Sequence, residues 1–483
     1  MIHRPTRRKF LQGATAASVG YWIGGRSTWA DELALKSPNE RINIASIGIG
    51  GKGDGDSDQA AKYGNLIAIC DIDEHRLAQK GAKYPRAERY TDFRDMLDEM
   101  GPQIDAVTVS TPDHTHAVAT MMAIRMGKHV YTQKPMTHDV WEARQLRLAA
   151  AEHKVSTQMG NQGTSSDRFR EGVEVIQAGL IGTVREFHVW TDRPTNWWPQ
   201  SPEIKARPPE APVPSYVQWD QWLGTAPNRP YGAKFYHPRN WRGWWDFGCG
   251  ALGDMGCHTA NLPFLALKLG YPTSVQAESE KLNPETYPAW ARIVYEFPER
   301  TGLPAVKMYW YEGHQDGKVV QPPQELIDKV VTEYNKVLVS RGDMRVADGK
   351  KVGLAIGGSI TVGDKGILYS PTDDGKEWEL LPAEDYHDYK APSQTLPRNP
   401  LGATSKTMDE AHKLEWLGAL KGGPKPMSSF DYAGLLTETI LLGNVAIRNG
   451  GQKLLWDGPG LKFSNAPEAD QCLRRQYREP WSL

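Results

Sequence analysis

Residues Ile42-Asn43-Ile44-Ala45-Ser46-Ile47-Gly48-Ile49-Gly50-Gly51-Lys52-Gly53 decide the fold. A short apolar run that breaks into closely spaced glycines reads as a buried strand turning tightly into a helix. A second apolar run, Leu66 to Cys70, ends on Asp71, about 18 residues past the last glycine. Each glycine has a mechanical role. Gly48 permits the turn, Gly50 lets backbone approach a pyrophosphate, and Gly53 allows close packing of helix on strand. Gly51 and Lys52 complete the loop. Asp71 is placed to accept hydrogen bonds from ribose hydroxyls, and its charge repels a 2′-phosphate, which favours NAD over NADP.

Working outward, apolar strands keep alternating with helical segments. Ala106 to Ser110 and His129 to Tyr131 read as further strands, and Asp56 to Lys62, Thr91 to Met100 and Ala117 to Met126 as helical segments. Short connections between such elements imply a parallel, doubly wound sheet, hence an NAD-binding Rossmann domain over residues 40–160. Residues 161–483 form an α+β domain. Strand-like runs at Val184 to Thr191, Thr273 to Ala277, Ala291 to Phe297, Val306 to Tyr311 and Ser359 to Gly363 suggest a large, mainly antiparallel open sheet. Gly313 to Gly353, with a helix from Glu325 to Val339, reads as an insertion. Gly366 to Arg398, polar and Pro-rich, reads as a surface loop, and His412 to Leu420 and Tyr432 to Arg448 as helices.

The first residues carry a separate message. Thr6-Arg7-Arg8-Lys9-Phe10-Leu11 precedes a weakly apolar, Ala/Gly-rich stretch, the pattern of a twin-arginine signal over residues 1–30. Its expected partner is the twin-arginine export machinery, and the expected location is the periplasm or beyond. That route carries folded proteins, so the cofactor is expected to be loaded before export and held tightly. The whole chain has a formal charge of −1, and loss of the five cations of the signal makes it more acidic, which argues against a nucleic-acid partner. No apolar run is long enough to cross a bilayer. Cys70, Cys249, Cys257 and Cys472 show no paired spacing and read as packing residues.

Three further segments narrow the possibilities: Thr108-Val109-Ser110-Thr111-Pro112-Asp113-His114-Thr115-His116, Gly127-Lys128-His129-Val130-Tyr131-Thr132-Gln133-Lys134-Pro135, and Gly250-Ala251-Leu252-Gly253-Asp254-Met255-Gly256-Cys257-His258-Thr259-Ala260-Asn261. Together they resemble the Gfo/Idh/MocA oxidoreductases (glucose–fructose oxidoreductase, inositol dehydrogenase and their relatives). The resemblance implies a catalytic set of Lys134, Asp254 and His258. It places Ser110, Thr111, His116 and Gln133 with Lys134 along the cofactor cleft, beside the glycine loop. Gln162, Arg168, Trp241, Arg242 and His258 are the expected substrate residues, and a dimer or tetramer is the expected assembly. Two departures stand out: Gln133 where the family usually has Glu, and Asn261 where Asp commonly ends the second motif.

The chemistry is consistent with those residue types. Oxidising a secondary alcohol needs a base for the hydroxyl proton while hydride leaves to nicotinamide. Asp254 and His258, four apart, share a helix face, so the acid could support an imidazolium, and Lys134 could stabilise an alkoxide. Eight of the 17 tryptophans fall between residues 190 and 245, rings suited to the C–H faces of sugars as well as to packing. The H-x-H of His114 and His116 supplies two ligands only, and no metal is expected. The expected activity is NAD-dependent oxidation of a sugar, glycoside or cyclitol. The alternatives are redox-neutral, NAD-dependent glycoside cleavage or elimination, and non-catalytic carbohydrate binding.

Overall fold

The computed structural model describes residues 41–404 and 406–483, so the twin-arginine segment lies outside the described residues. The first lobe runs β1 (Ile42–Ile47), α1 (Lys52–Tyr63), β2 (Gly64–Cys70), α2 (Glu74–Lys83), β3 (Glu88–Tyr90), α3 (Phe93–Met100), β4 (Ala106–Val109), α4 (Asp113–Arg125), β5 (His129–Thr132), α5 (Val140–Glu152) and β6 (Thr157–Met159). Its six strands pair in the order β3-β2-β1-β4-β5-β6, every pair parallel. The strands are apolar because helices cover both faces: Ile44, Ala45, Val107, Val109 and Val130 are all buried. The order reverses between β1 and β4, which opens a crevice at their carboxyl ends.

Gly48 sits at that crevice with a φ of +75°, and a Cβ there would meet the Ser110 backbone at 2.8 Å. A Cβ on Gly53 would overlap the Gly48 carbonyl oxygen, so only glycine lets helix α1 come this close to the strand.

The second lobe comprises α6 (Asp167–Gln177), β7 (Val184–Thr191), α7 (Trp219–Leu223), α8 (Gly250–Thr259), α9 (Asn261–Ala266), β8 (Ser274–Ser279), β9 (Trp290–Phe297), β10 (Val306–Gln315), β11 (Lys318–Val319), α10 (Gln324–Ser340), β12 (Gly357–Gly363), β13 (Ile367–Ser370), β14 (Glu379–Leu381), α11 (Met408–Ala419), α12 (Phe430–Arg448), β15 (Leu454–Asp457) and β16 (Lys462–Phe463). The strands form one ten-stranded sheet, order β14-β13-β12-β7-β10-β9-β8-β15-β16, with β11 paired to β10. Only the β7–β10 pair is parallel among these ladders. The polar stretch expected to be a surface loop, Gly366 to Arg398, in fact supplies β13 and β14. Their short apolar runs, Ile367 to Tyr369 and Leu380 to Leu381, are buried against the sheet despite polar neighbours.

Two late segments return to the first lobe. Helix α11 packs on α1, where the Lys413 ammonium meets Asp56 at 2.7 Å with both side chains fully buried. The last residues cross beside α3 and α4: Arg475 donates to the His114 carbonyl at 2.6 Å, and the Arg94 guanidinium lies 4.3 Å from the centroid of the Trp481 ring.

Candidate active site

A cleft of about 580 Å³ runs from the glycine loop along the β1/β4 crevice and into the second lobe. It is lined at one end by Asp71, Arg76 and Thr91, in the middle by Gly48, Gly50, Gly51, Lys52, Ser110, Thr111 and His116, and at the other by Lys134, Asp254, His258 and Trp241. Asp71 accepts from the backbone N–H of Ile49 at 2.9 Å and of Asp73 at 3.1 Å, which fixes its carboxylate at the mouth. Burial pushes its carboxyl up, against the pull of Arg76. Arg76 was not foreseen. Its guanidinium packs over Gly50 and lies 3.9 Å from Asp71, so a cation accompanies the expected ribose acid.

The residues fit a dinucleotide. Gly51 is exposed with nothing within 4 Å of the position a Cβ would take, leaving the loop backbone open to a phosphate. The cleft volume lies within the usual range for cofactor and ligand sites.

Lys134 leaves β5 two residues past Thr132, on a cis Lys134–Pro135 bond. Its ammonium donates to the Asp254 carboxylate at 2.9 Å and to the Asp254 carbonyl at 2.6 Å. Asp254 and His258 both belong to α8, but no hydrogen bond joins them; the Asp254 charge favours a proton on the imidazole without contact. Asp254 instead serves three cations: Lys134, Arg193 and, at 3.3 Å, Arg242. Burial raises its carboxyl, and the cations overcome that and hold it far below the ordinary range. His258 Nδ1 is buried without a hydrogen-bond partner. Burial, then the Lys134 charge, hold the imidazole well below its usual pKa, so at neutral pH it is an unprotonated base facing the cleft.

Gln133 turns inward. Its Nε2 donates to Asp56 at 2.7 Å, and Asp56 also accepts from Ser110, Lys52 and Lys413. A Glu at 133 would set two carboxylates against each other on this buried acid, which accounts for the departure from the family pattern. His116 lies between the carbonyls of Pro135 and Thr111, at 2.8 and 2.7 Å, and burial lowers it to about 4. It therefore ties the cleft walls together. His114 contacts the Phe247 and Trp222 carbonyls at 3.2 and 2.8 Å, bracing the tryptophan-rich segment. Among the described residues no group of three or more His, Cys, Asp or Glu is arranged to hold a metal.

Of the expected substrate residues, Gln162, Trp241, Arg242 and His258 line the cleft. Arg168 does not. At the start of α6, its guanidinium stacks 3.4 Å from the Trp378 ring centroid and donates to the Trp378 carbonyl at 3.0 Å, in the segment that carries β14. Arg193 and Trp197 are cleft residues that sequence reasoning left out or undecided. The available signal was the charged pair Asp192-Arg193 just past the end of β7, where a strand delivers side chains to a site. Trp190 and Trp244 are wholly buried and serve packing.

Two family profiles match the chain: the NAD-binding Rossmann fold of the GFO_IDH_MocA oxidoreductase family over residues 42–161, and that family's C-terminal alpha/beta domain over residues 169–304. Together they cover more than half of it. The chain belongs to the Gfo/Idh/MocA oxidoreductase family. Curated relatives of this Gfo/Idh/MocA protein include scyllo-inositol 2-dehydrogenase (NADP(+)) IolW of Bacillus subtilis (strain 168), 26% identical over 181 residues, 36% of this chain and 48% of that protein. The chain spans half or less of the length of the curated relatives it matches. The fold is similar to the WlbA dehydrogenase of Bordetella pertussis in complex with NADH and UDP-GlcNAcA, with TM-score 0.55, 15% identity, and coverage of 86% of this chain and 99% of that one. It is also similar to an inositol dehydrogenase homologue from Azotobacter vinelandii complexed with NADH and myo-inositol, with TM-score 0.52, 15% identity, and coverage of 86% and 98%. At such identity these likenesses concern fold.

Proposed function

We propose that this chain is an exported oxidoreductase that takes hydride from a secondary hydroxyl of a sugar, glycoside or cyclitol and keeps its NAD through turnover. The observation that carries the reading is the meeting, in one cleft, of a fixed ammonium (Lys134) and an unpartnered, unprotonated imidazole (His258) beyond the dinucleotide loop. NAD, when bound, supplies the hydride acceptor. The glycine loop, Asp71, Ser110 and Thr111 would hold it.

His258 accepts the hydroxyl proton at a ring nitrogen. Lys134, kept in place by Asp254, orients the hydroxyl oxygen and stabilises the negative charge that develops on it. Trp241 lines one wall of the site. The names of the relatives, inositol and sugar-nucleotide dehydrogenases among them, support a polyhydroxylated substrate. The twin-arginine motif supports export with a retained cofactor, since a diffusible NAD cycle has no supply outside the cytoplasm.

The test is gentle purification followed by cofactor extraction and a sugar and glycoside panel read by bound-NADH fluorescence and product mass. Near-stoichiometric NAD(H) with sugar-dependent reduction is expected. Glycoside cleavage without net NADH would replace the dehydrogenase with the redox-neutral reading. Protein that binds NAD only at millimolar concentration would overturn retention.

A further inference from the structure

We infer that the substrate carries a carboxylate and that Arg193 and Arg242 hold it, so that the cleft takes an acidic sugar or cyclitol in preference to a neutral one. This rests on the reading of the cleft as the oxidoreductase site, and it names the substrate class.

Asp254 leaves hydrogen-bond donors over. Its one carboxylate receives Lys134, Arg193 and Arg242. Arg193 gives it Nη1; Arg242 gives it Nε at 3.3 Å and spends Nη1 on the Arg239 carbonyl at 3.2 Å. A guanidinium has five N–H bonds, so Nε and Nη2 of Arg193 and Nη2 of Arg242 keep donors to spare. Neither side chain is sealed off: they are 15% and 29% exposed, and both line the cleft.

Both also lie over aromatic rings. The Arg193 guanidinium lies 3.7 Å from the Trp197 ring centroid and that of Arg242 lies 4.3 Å from the Trp241 ring centroid. A guanidinium stacked on an indole keeps its edge free for in-plane hydrogen bonds, the geometry that receives a carboxylate as a fork. Both guanidinium edges meet at Asp254, beside rings suited to a sugar's C–H face.

The other carboxylates facing this cluster are Asp113, Asp192 and Asp373; burial raises all three, Asp113 to about 7, which weakens the Asp113 charge at neutral pH. The cofactor adds no negative charge here, because its pyrophosphate belongs at the glycine loop and its oxidised nicotinamide is itself cationic. A carboxylate would take the spare donors as charge-assisted hydrogen bonds, which the hydroxyls of a neutral polyol cannot match.

The experiment uses the holoprotein and matched pairs: glucuronate with glucose, galacturonate with galactose, and their methyl glycosides, with glucose 6-phosphate as a further arm. Binding is read by tryptophan fluorescence and turnover by reduction of the bound NAD. Affinity for the uronate about tenfold or more above its neutral partner is expected, the usual worth of a charge-assisted pair. In Arg193→Gln and Arg242→Gln that ratio should collapse toward one, and Arg242→Lys, which keeps charge but loses the fork, should fall between. Neutral sugars bound and oxidised as well as the acids, or the phosphate preferred over both, would overturn the inference while leaving the oxidoreductase reading intact. Uronates that bind with the arginine dependence but never reduce the cofactor would uphold the carboxylate site and remove the dehydrogenase.

Discussion

Burial and the Lys134 ammonium both act against a proton on His258 and outweigh the pull of Asp254, which makes a base ready at neutral pH. With the pKa depressed below 6.5, the competent neutral form persists as pH falls past the usual imidazole range, and activity is lost only lower down. The acid limb of kcat/KM should therefore sit below pH 6.5, and His258→Asn should abolish that limb and lower kcat by about 10²- to 10⁴-fold. A limb centred above pH 7 would show that another group is the base. Lys134, Asp254 and His258 were legible in the sequence because each sits in a short contiguous motif. The use made of Asp254 was not, because its partners Arg193 and Arg242 come from outside α8, 61 and 12 residues away. Arg168 misled for a related reason. It was expected at the substrate site, but Trp378, from a stretch read as surface loop, captures its guanidinium.

At the scale of elements, α11 matters more to the first lobe than its late position suggests. It sends Lys413 into that lobe, 2.7 Å from Asp56 and 3.4 Å from the centroid of the Tyr131 ring, with Gln133 on the same acid. A helix was expected at His412 to Leu420; no periodicity could say that it docks on α1. Lys413→Met should cost about 3 kcal/mol in urea unfolding, the low end for removing one partner of a buried pair, since Lys52 still faces Asp56. Adding Asp56→Asn should recover a good part of that loss, because no unpaired buried charge then remains. Equal losses in the single and double variants would mean that the cost is packing alone. β1, β2, β4 and β5 were readable because they are continuous apolar runs, whereas β3 and β6, three residues each, were not. β13 and β14 escaped because three or four buried residues between polar ones carry too little period.

Across the whole molecule, the cofactor cleft is built by the first third of the described chain yet finished by its last residues. Trp481 lines the same cleft as Asp71 and Thr91, with Phe93 at 5.9 Å between ring centroids and Arg94 over its face at 4.3 Å. Arg475 and Arg478 anchor the approach, donating to the carbonyls of His114 and Gly224. Nothing near Trp481 in sequence predicts this, since its partners lie nearly four hundred residues earlier. An aromatic wall at the ribose end slows escape of a dinucleotide by the area it buries, and losing one ring removes on the order of 1–2 kcal/mol. Trp481→Ala should then weaken NAD binding about five- to thirtyfold, seen as faster loss through a desalting column. It should also lower the NAD-dependent gain in melting temperature, since stabilisation by a ligand scales as RT ln(1 + [L]/Kd). The melting temperature without NAD should move far less, because Trp481 packs at the end of the tail while Arg475 and Arg478 hold its stem. An unchanged NAD affinity beside a large drop in that unliganded melting temperature would make Trp481 a packing residue of α3 and nothing more.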